Sequence, residues 1–202
     1  MIFDVVDLTD PMLKHTQADL KALGRSTILT YYKLSNGVGQ MVEDLCRLLG
    51  KPPPIEKFDP YAPMARTAAQ MIQAYAAAPN RIEALRIWGH GDIGAQNISA
   101  GMNSHALKYN RTGLSMDAVW ENETTLRRLT TFFARGSRAE LRGCATGRGA
   151  DGVAFMKKLA SVWNTKVYAA VELQPGTGLD WFGPVYEVTS AGDARLASGP
   201  KI

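Results

Sequence analysis

Residues 139–163 read AELRGCATGRGADGVAFMKKLASVW, and residues 166–171 continue KVYAAV. Ala139 to Gly143 reads as a short strand. Gly149 to Trp163 places Val153, Phe155, Met156, Leu159 and Val162 at helical spacing, which predicts an amphipathic helix. Lys166 to Val171 is a compact β-branched and aromatic run, a second strand. A strand, a helix and a strand in this order close as a parallel crossover, so this stretch predicts a parallel sheet with helices packed on it.

The pattern extends outward. Ala84 to Gly89 (ALRIWG) is a strand, and Asn122 to Ala134 is a helix with its leucines and phenylalanines inward. Thr27 to Leu34 is a strand, Ser35-Asn36-Gly37 a turn, and Gly39 to Leu49 a helix that Gly50 ends. Lys51 to Pro54 is a rigid connector, followed by a short strand at Ile55 to Phe58 and an alanine-rich helix from Pro63 to Ala78. Met1 to Leu8 alternates loosely, as a strand or an ordered arm. Gly91 to Gly113 has room for a hairpin, and the tail from Gly178, with Trp181, Val185, Tyr186 and Val188, predicts a terminal hairpin. The expected fold class is α/β, a three-layer α/β/α sandwich on a mostly parallel sheet. The 202 residues fit a single domain, 1–202, with residues 1–25 readable as an N-terminal extension. No internal repeat or low-complexity tract interrupts it.

Composition narrows the class. Hydrophobic residues make up 46% and charged residues 21%, an ordinary globular balance. No stretch approaches the ~18–20 apolar residues of a membrane span, and Met1 to Asp10 lacks the basic start of a signal peptide. Two cysteines, Cys46 and Cys144, are too few for a disulfide framework and read as free thiols in a reducing compartment, so the expected location is cytoplasmic. The net charge is +4. Arg127, Arg128, Arg135, Arg138, Arg142, Arg148, Lys157 and Lys158 are opposed only by Glu140 and Asp151 in that stretch, a candidate surface for an acidic partner. The alternative is a solvated face with scattered pairs.

In parallel α/β sheets, ligands meet the loops at the carboxyl ends of strands. Two strand ends stand out. ALRIWG runs into His90-Gly91-Asp92, and AELRG into Cys144-Ala145-Thr146-Gly147. On neighbouring strands the imidazole and thiol share one end of the sheet. A thiol is mostly protonated at neutral pH, and an imidazole can take its proton. The helix from Gly149 directs its positive end toward Cys144, which favours thiolate. The N–H groups of Gly91 and Cys144 are candidates for an oxyanion hole. Spacing for a metal site is missing: His90, Asp92 and Cys144 lie outside any CxxC or HxxxH pattern. Gly37-Val38-Gly39 only half matches a dinucleotide fingerprint, and no GxxxxGK[ST] or GxSxG occurs. No cofactor is expected. Cys46 reads as a core residue among leucines; His15 and His105 read as surface or loop residues.

A hydrophobic strand ending in His-Gly, followed about fifty residues later by one ending in Cys, resembles the clan CD cysteine peptidases: caspases, gingipains, separase and the self-cleaving domains of large bacterial toxins. The order WGHGDIG, TTLRRLTTFF, RGCATGRGADGVAFMKKLA, KVYAAVE and Asp180-Trp181 looks closer still to an uncharacterised bacterial domain family of large surface and adhesin proteins. The likeness runs from about Leu85 to Gly199. It implies a caspase-like fold and a cysteine endopeptidase, self-processing included, acting on peptide or protein. In it His90 is the general base, Cys144 the nucleophile, and the Gly91 and Cys144 N–H groups the oxyanion hole. Glu172 and Asp180 would select a basic side chain, Arg148 an acidic one. The alternative function is a non-catalytic binding module on the same fold, using the basic surface.

One departure is physical. Strands buried in a parallel sheet should be nearly all apolar, yet Arg86, Glu140 and Arg142 interrupt these two. Arg86 and Glu140 each lie four residues before a candidate site residue, so level parallel strands predict a pair between them or a contact through Arg142.

Overall fold

The computed structural model describes residues 1–31, 37–50, 81–98, 113–175 and 178–202. The connector, strand and helix expected between Lys51 and Ala78 lie outside these residues, as do the end of the Thr27–Leu34 strand, part of the Ser35–Gly37 turn, and His105.

Seven strands form one sheet: β1 (Ile2–Asp7), β2 (Thr27–Tyr31), β3 (Ile82–Trp88), β7 (Phe133–Leu141), β8 (Lys166–Ala170), β9 (Val185–Val188) and β10 (Ala194–Ala197). Their order is β10-β9-β8-β7-β3-β1-β2. The five from β2 to β8 are parallel; β9 and β10 run antiparallel as the terminal hairpin. A second, small antiparallel sheet joins β4 (Gly91–Asp92), β5 (Ala95–Gln96) and β6 (Leu114–Ser115) directly after β3. Helices flank the main sheet, giving the three-layer α/β sandwich.

The chain starts in the middle of the sheet. It moves outward from β1 to β2 through α1 (Leu13–Leu23), then crosses back over β1 through α2 (Gly37–Leu49) and continues from β3 to β7 and β8. Right-handed crossovers in opposite directions put their helices on opposite faces. The packing follows this rule. The large cluster holds Phe3, Val5, Leu85, Ile87, Ala139, Leu141, Val167 and Ala169 of the strands with α2 and α5 (Gly149–Trp163). The smaller cluster on the other face gathers Val6, Leu8, Leu20 and Trp88 under α1, with Leu179 and Ile202 beside them.

Between β3 and β7 the sequence expectation changes. Instead of one helix from Asn122 to Ala134 there are α3 (Met116–Glu121), α4 (Glu123–Arg127) and a 3-10 turn at Thr130–Phe132. Asn122 leaves helical geometry at ψ 16°, and Ser115 caps α3 by accepting from Ala118 N at 3.2 Å. Leu126, Leu129, Phe132 and Phe133 are buried as expected, so the apolar side of the pattern was right and its regularity wrong. β7 is correspondingly longer than the Ala139–Gly143 strand predicted. Its start is irregular: Ile82 pairs with Phe133 but Ala84 already pairs with Arg138, and the extra residues turn through Gly136 at φ 79°. α1 was not predicted as a helix at all. It buries only Thr16 and Leu20, too thin a stripe to read as a period, although Gly24 at φ 61° closes it.

Arg86 and Glu140 are register partners, as the level-strand argument required. Among the described residues no bond joins the two; Glu140 meets Arg142, the other contact expected, while Arg86 turns to Asp4. Arg86 forms a bidentate pair with Asp4 at 2.7 and 2.6 Å, and Trp88 Nε1 donates to the same carboxylate at 2.7 Å. Glu140 accepts from Arg138 at 2.6 Å and from Arg142 Nε at 2.9 Å. The register extends this into a polar row across the sheet: Asp4, Arg86, Glu140, Tyr168, Glu187 and Arg195 lie level on successive strands. Removing one member of such a buried pair leaves a bare charge, which costs about 3–5 kcal/mol.

Candidate active site at the carboxyl ends of the strands

Three strand ends converge at the point where the chain direction reverses: β1 leads to Asp10, β3 to His90 and β7 to Cys144. The His90 and Cys144 loops touch through glycine. A Cβ on Gly91 would stand 2.4 Å from Thr146 Oγ1 and 2.7 Å from both Cys144 N and O. Any side chain there would force the loops apart. Gly143 is equally confined, with Gly91 Cα and N at 2.7 and 2.8 Å from its Cβ position.

The Cys144 loop is tied down on every side. Ala145 N donates to Glu172 O at 2.9 Å, Gly147 N to Ala170 O at 2.8 Å, and Gly94 N to Thr146 O at 3.1 Å. Thr146 Oγ1 donates to Ala95 O at 3.1 Å. These bonds hold Ala145 at φ 51°, a left-handed backbone uncommon for a residue with a side chain. The Cys144 N–H donates to no acceptor among the described residues. Cys144 is partly exposed, and its Sγ receives the Gln174 N–H at 3.3 Å and lies 3.5 Å from Gln174 O. The donor at the sulfur is thus the loop after β8.

His90 is also held. Its Nε2 lies 3.0 Å from Asp10 Oδ2, with side-chain exposures of 27% and 4%, but makes no hydrogen bond among the described residues. The other oxygen, Oδ1, accepts Met12 N at 2.9 Å. Asp10 was missed by sequence reasoning. Its only signal was local, an Asp-Pro pair before a helix, and its nearness to His90 comes from β1 lying beside β3.

Asp180 stands on a cleft of ≈ 30 Å³ lined also by Leu13, Thr16, Trp88, Arg142 and Gln174. Arg142 is stacked there between Trp88 and Trp181, at 5.0 and 3.9 Å from the ring centres. Glu172 holds the Cys144 loop through its carbonyl, while its carboxylate packs on Gly183. Arg148 is exposed and donates to Val171 O at 2.7 Å. Leu173 and Phe182 are exposed on either side of Gln174, which clasps the Phe182 backbone at 2.8 and 3.0 Å.

The basic stretch is divided between faces. Arg138 and Arg142 meet Glu140 on the α1 side, whereas Arg127 and Lys158 meet Glu123 on the other, with Lys158 3.3 Å from the Trp120 ring centre. Arg128 meets Glu43. Cys46 is buried among α2 leucines, where burial pushes its thiol up despite the opposing charge of Arg128. His15 is exposed on α1. Among the described residues no group of three or more His, Cys, Asp or Glu is placed to hold a metal ion, and no helix is long and apolar enough to cross a membrane.

Compared with protein-family models, with curated proteins and with solved structures, the chain matches none of them.

Proposed function

We propose that the chain is a cysteine endopeptidase of the caspase and gingipain type, with Cys144 as nucleophile and His90 as general base. The observation that supports this most is the seat of Gly91 on the Cys144 backbone, which brings the two strand-end loops into contact. Asp10 adds a third role. Its carboxylate lies 3.0 Å from Nε2 without bonding to it; brought into line, it favours the tautomer protonated there and leaves Nδ1 to accept a proton. In the reaction His90 takes the thiol proton while Sγ bonds to the scissile carbonyl carbon. The resulting oxyanion is met by the Cys144 N–H and the Gly91 N–H. Collapse expels the amine, which leaves with the proton from His90, and water then cleaves the thioester by the same path. By the resemblance to the caspase and gingipain type, Asp180 favours a basic side chain in the substrate. Self-processing is included in this reading.

The decisive experiment compares the parent, Cys144→Ala and Cys46→Ser. The parent is expected to cleave members of a peptide library, or itself, as read by mass spectrometry. Cys144→Ala should do neither, and Cys46→Ser should stay within a few-fold of the parent. At pH 6 a thiol reagent should label Cys144 much faster than Cys46. Cleavage by Cys144→Ala at the parent's rate would show that the nucleophile is elsewhere. Equal labelling without cleavage would leave the non-catalytic binding module.

A further inference from the structure

Gln96 has no part in the chemistry above, yet it is fully buried where the two candidate loops meet. It ends β5 and faces Gly91 in the small sheet. Its Nε2 donates to Asn97 O at 3.2 Å, while its Oε1 has no donor among the described residues. That oxygen lies 2.5 Å from the position a Cβ would take on Gly143, in the notch that Gly91 also occupies. On the opposite side Nε2 lies 3.2 Å from the corresponding position on Gly89. The amide is therefore wedged between the residue before His90 and the residue before Cys144.

A buried acceptor without a donor opposes folding, and the Nε2 bond to Asn97 O offsets part of that cost. Stability therefore gives little reason for an amide at this position. Geometry does. The Nε2 bond ties the side chain to Asn97, whose own N–H donates to His90 O at 2.8 Å. The other end of the amide bears on Gly91 and Gly143. The planar group is a strut between the His90–Gly91 loop and the Gly143–Cys144 loop. We infer that Gln96 is a positioning residue, whose side-chain amide holds the Gly91 and Cys144 N–H groups at the spacing that an oxyanion requires. This rests on the reading of Cys144 as a nucleophile. Donors of an oxyanion must be pre-placed, and shifts of about 1 Å cost about 100-fold in rate.

The test separates thiol reactivity from oxyanion binding. Iodoacetamide reacts by displacing iodide from a saturated carbon, so no oxyanion forms. A peptidyl aldehyde adds reversibly: Sγ bonds to the carbonyl carbon, the π pair moves to oxygen, and the thiol proton ends on that oxygen or on His90. The probes are peptidyl aldehydes ending in arginal, phenylalaninal and aspartal. With Gln96→Met, which loses the bond to Asn97 O, the melting midpoint should fall by no more than about 5 °C and alkylation of Cys144 should stay within about twofold of the parent. Aldehyde affinity and kcat should drop about 10- to 100-fold, with KM nearly unchanged. Gln96→Glu keeps the shape. Its carboxyl mimics the amide while protonated, so its aldehyde affinity should fall as pH rises. Unchanged aldehyde affinity in Gln96→Met overturns the inference. So does a loss matched by falling midpoint and alkylation in both variants, which would make Gln96 a packing residue only. If Cys144 of the parent alkylates but adds no aldehyde, the failure lies with the nucleophile reading itself.

Discussion

Asp10 has two oxygens with different tasks. Oδ1 holds the start of α1 through Met12 N, and Oδ2 faces His90. Asp10→Asn can keep the first, because an amide retains one acceptor. It cannot keep the second without turning an N–H toward the imidazole, which forces the opposite tautomer. The substitution should leave the melting midpoint within a few degrees and lower peptide cleavage by about 10- to 1,000-fold. Measuring both on one preparation separates the turn before α1 from the imidazole. An unchanged cleavage rate would remove Asp10 from the site.

Among the elements, the β9–β10 hairpin carries a pH-dependent tie to the sheet. Glu187 is level with Tyr168 and Arg195, and it accepts from the Tyr168 hydroxyl and from Arg195 at 3.0 Å, with Lys166 at 3.4 Å. Burial pushes its pKa up, but the Tyr168 bond and the charges of Lys166 and Arg195 outweigh this, and the net shift is downward. Burial and the same carboxylate push the Tyr168 phenol well above its ordinary range. A depressed carboxyl pKa stabilises the fold fully above the unfolded value, about 4.3. That contribution is lost as pH falls through the folded value. Glu187→Gln should therefore lower the melting midpoint by about 2–6 °C at pH 7. The gap between parent and variant should narrow as scanning calorimetry is taken down toward pH 3. A gap independent of pH would mean that packing, not charge, holds the hairpin.

At the scale of the molecule, the reversal of chain direction between β1 and β3 decides where a site can form. Neighbouring strands with crossovers on opposite faces leave a crevice beyond their carboxyl ends, and Asp10 and His90 border it, with Cys144 one strand further on. The same topology grades stability. β1, β3 and β7 are interior strands, while β10 is an exposed edge. Amide hydrogen exchange should show the first three opening only with global unfolding, and β10 exchanging orders of magnitude faster. Equal protection across the sheet would mean that the edge is covered in solution.

The sequence alone determined what depends on local pattern. The α5 helix was legible to the residue, because its apolar positions recur at one period and glycine precedes it. The cores of β3 and β8, the terminal hairpin, and His90 and Cys144 as strand-end residues were legible for the same reason. So was the register of Arg86 with Glu140, since level strand ends leave no other. What joins distant segments was decided only by the tertiary structure. Asp4 takes Arg86 and Asp10 comes to lie beside His90 because β1 inserts beside β3 from about 80 residues away. The regular helix expected from Asn122 to Ala134 ends at Arg127 and gives way to a 3-10 turn at Thr130–Phe132, with Leu126, Leu129 and Phe132 buried all the same. Periodicity along a chain records which face is buried. It carries no record of which charge waits on the neighbouring strand.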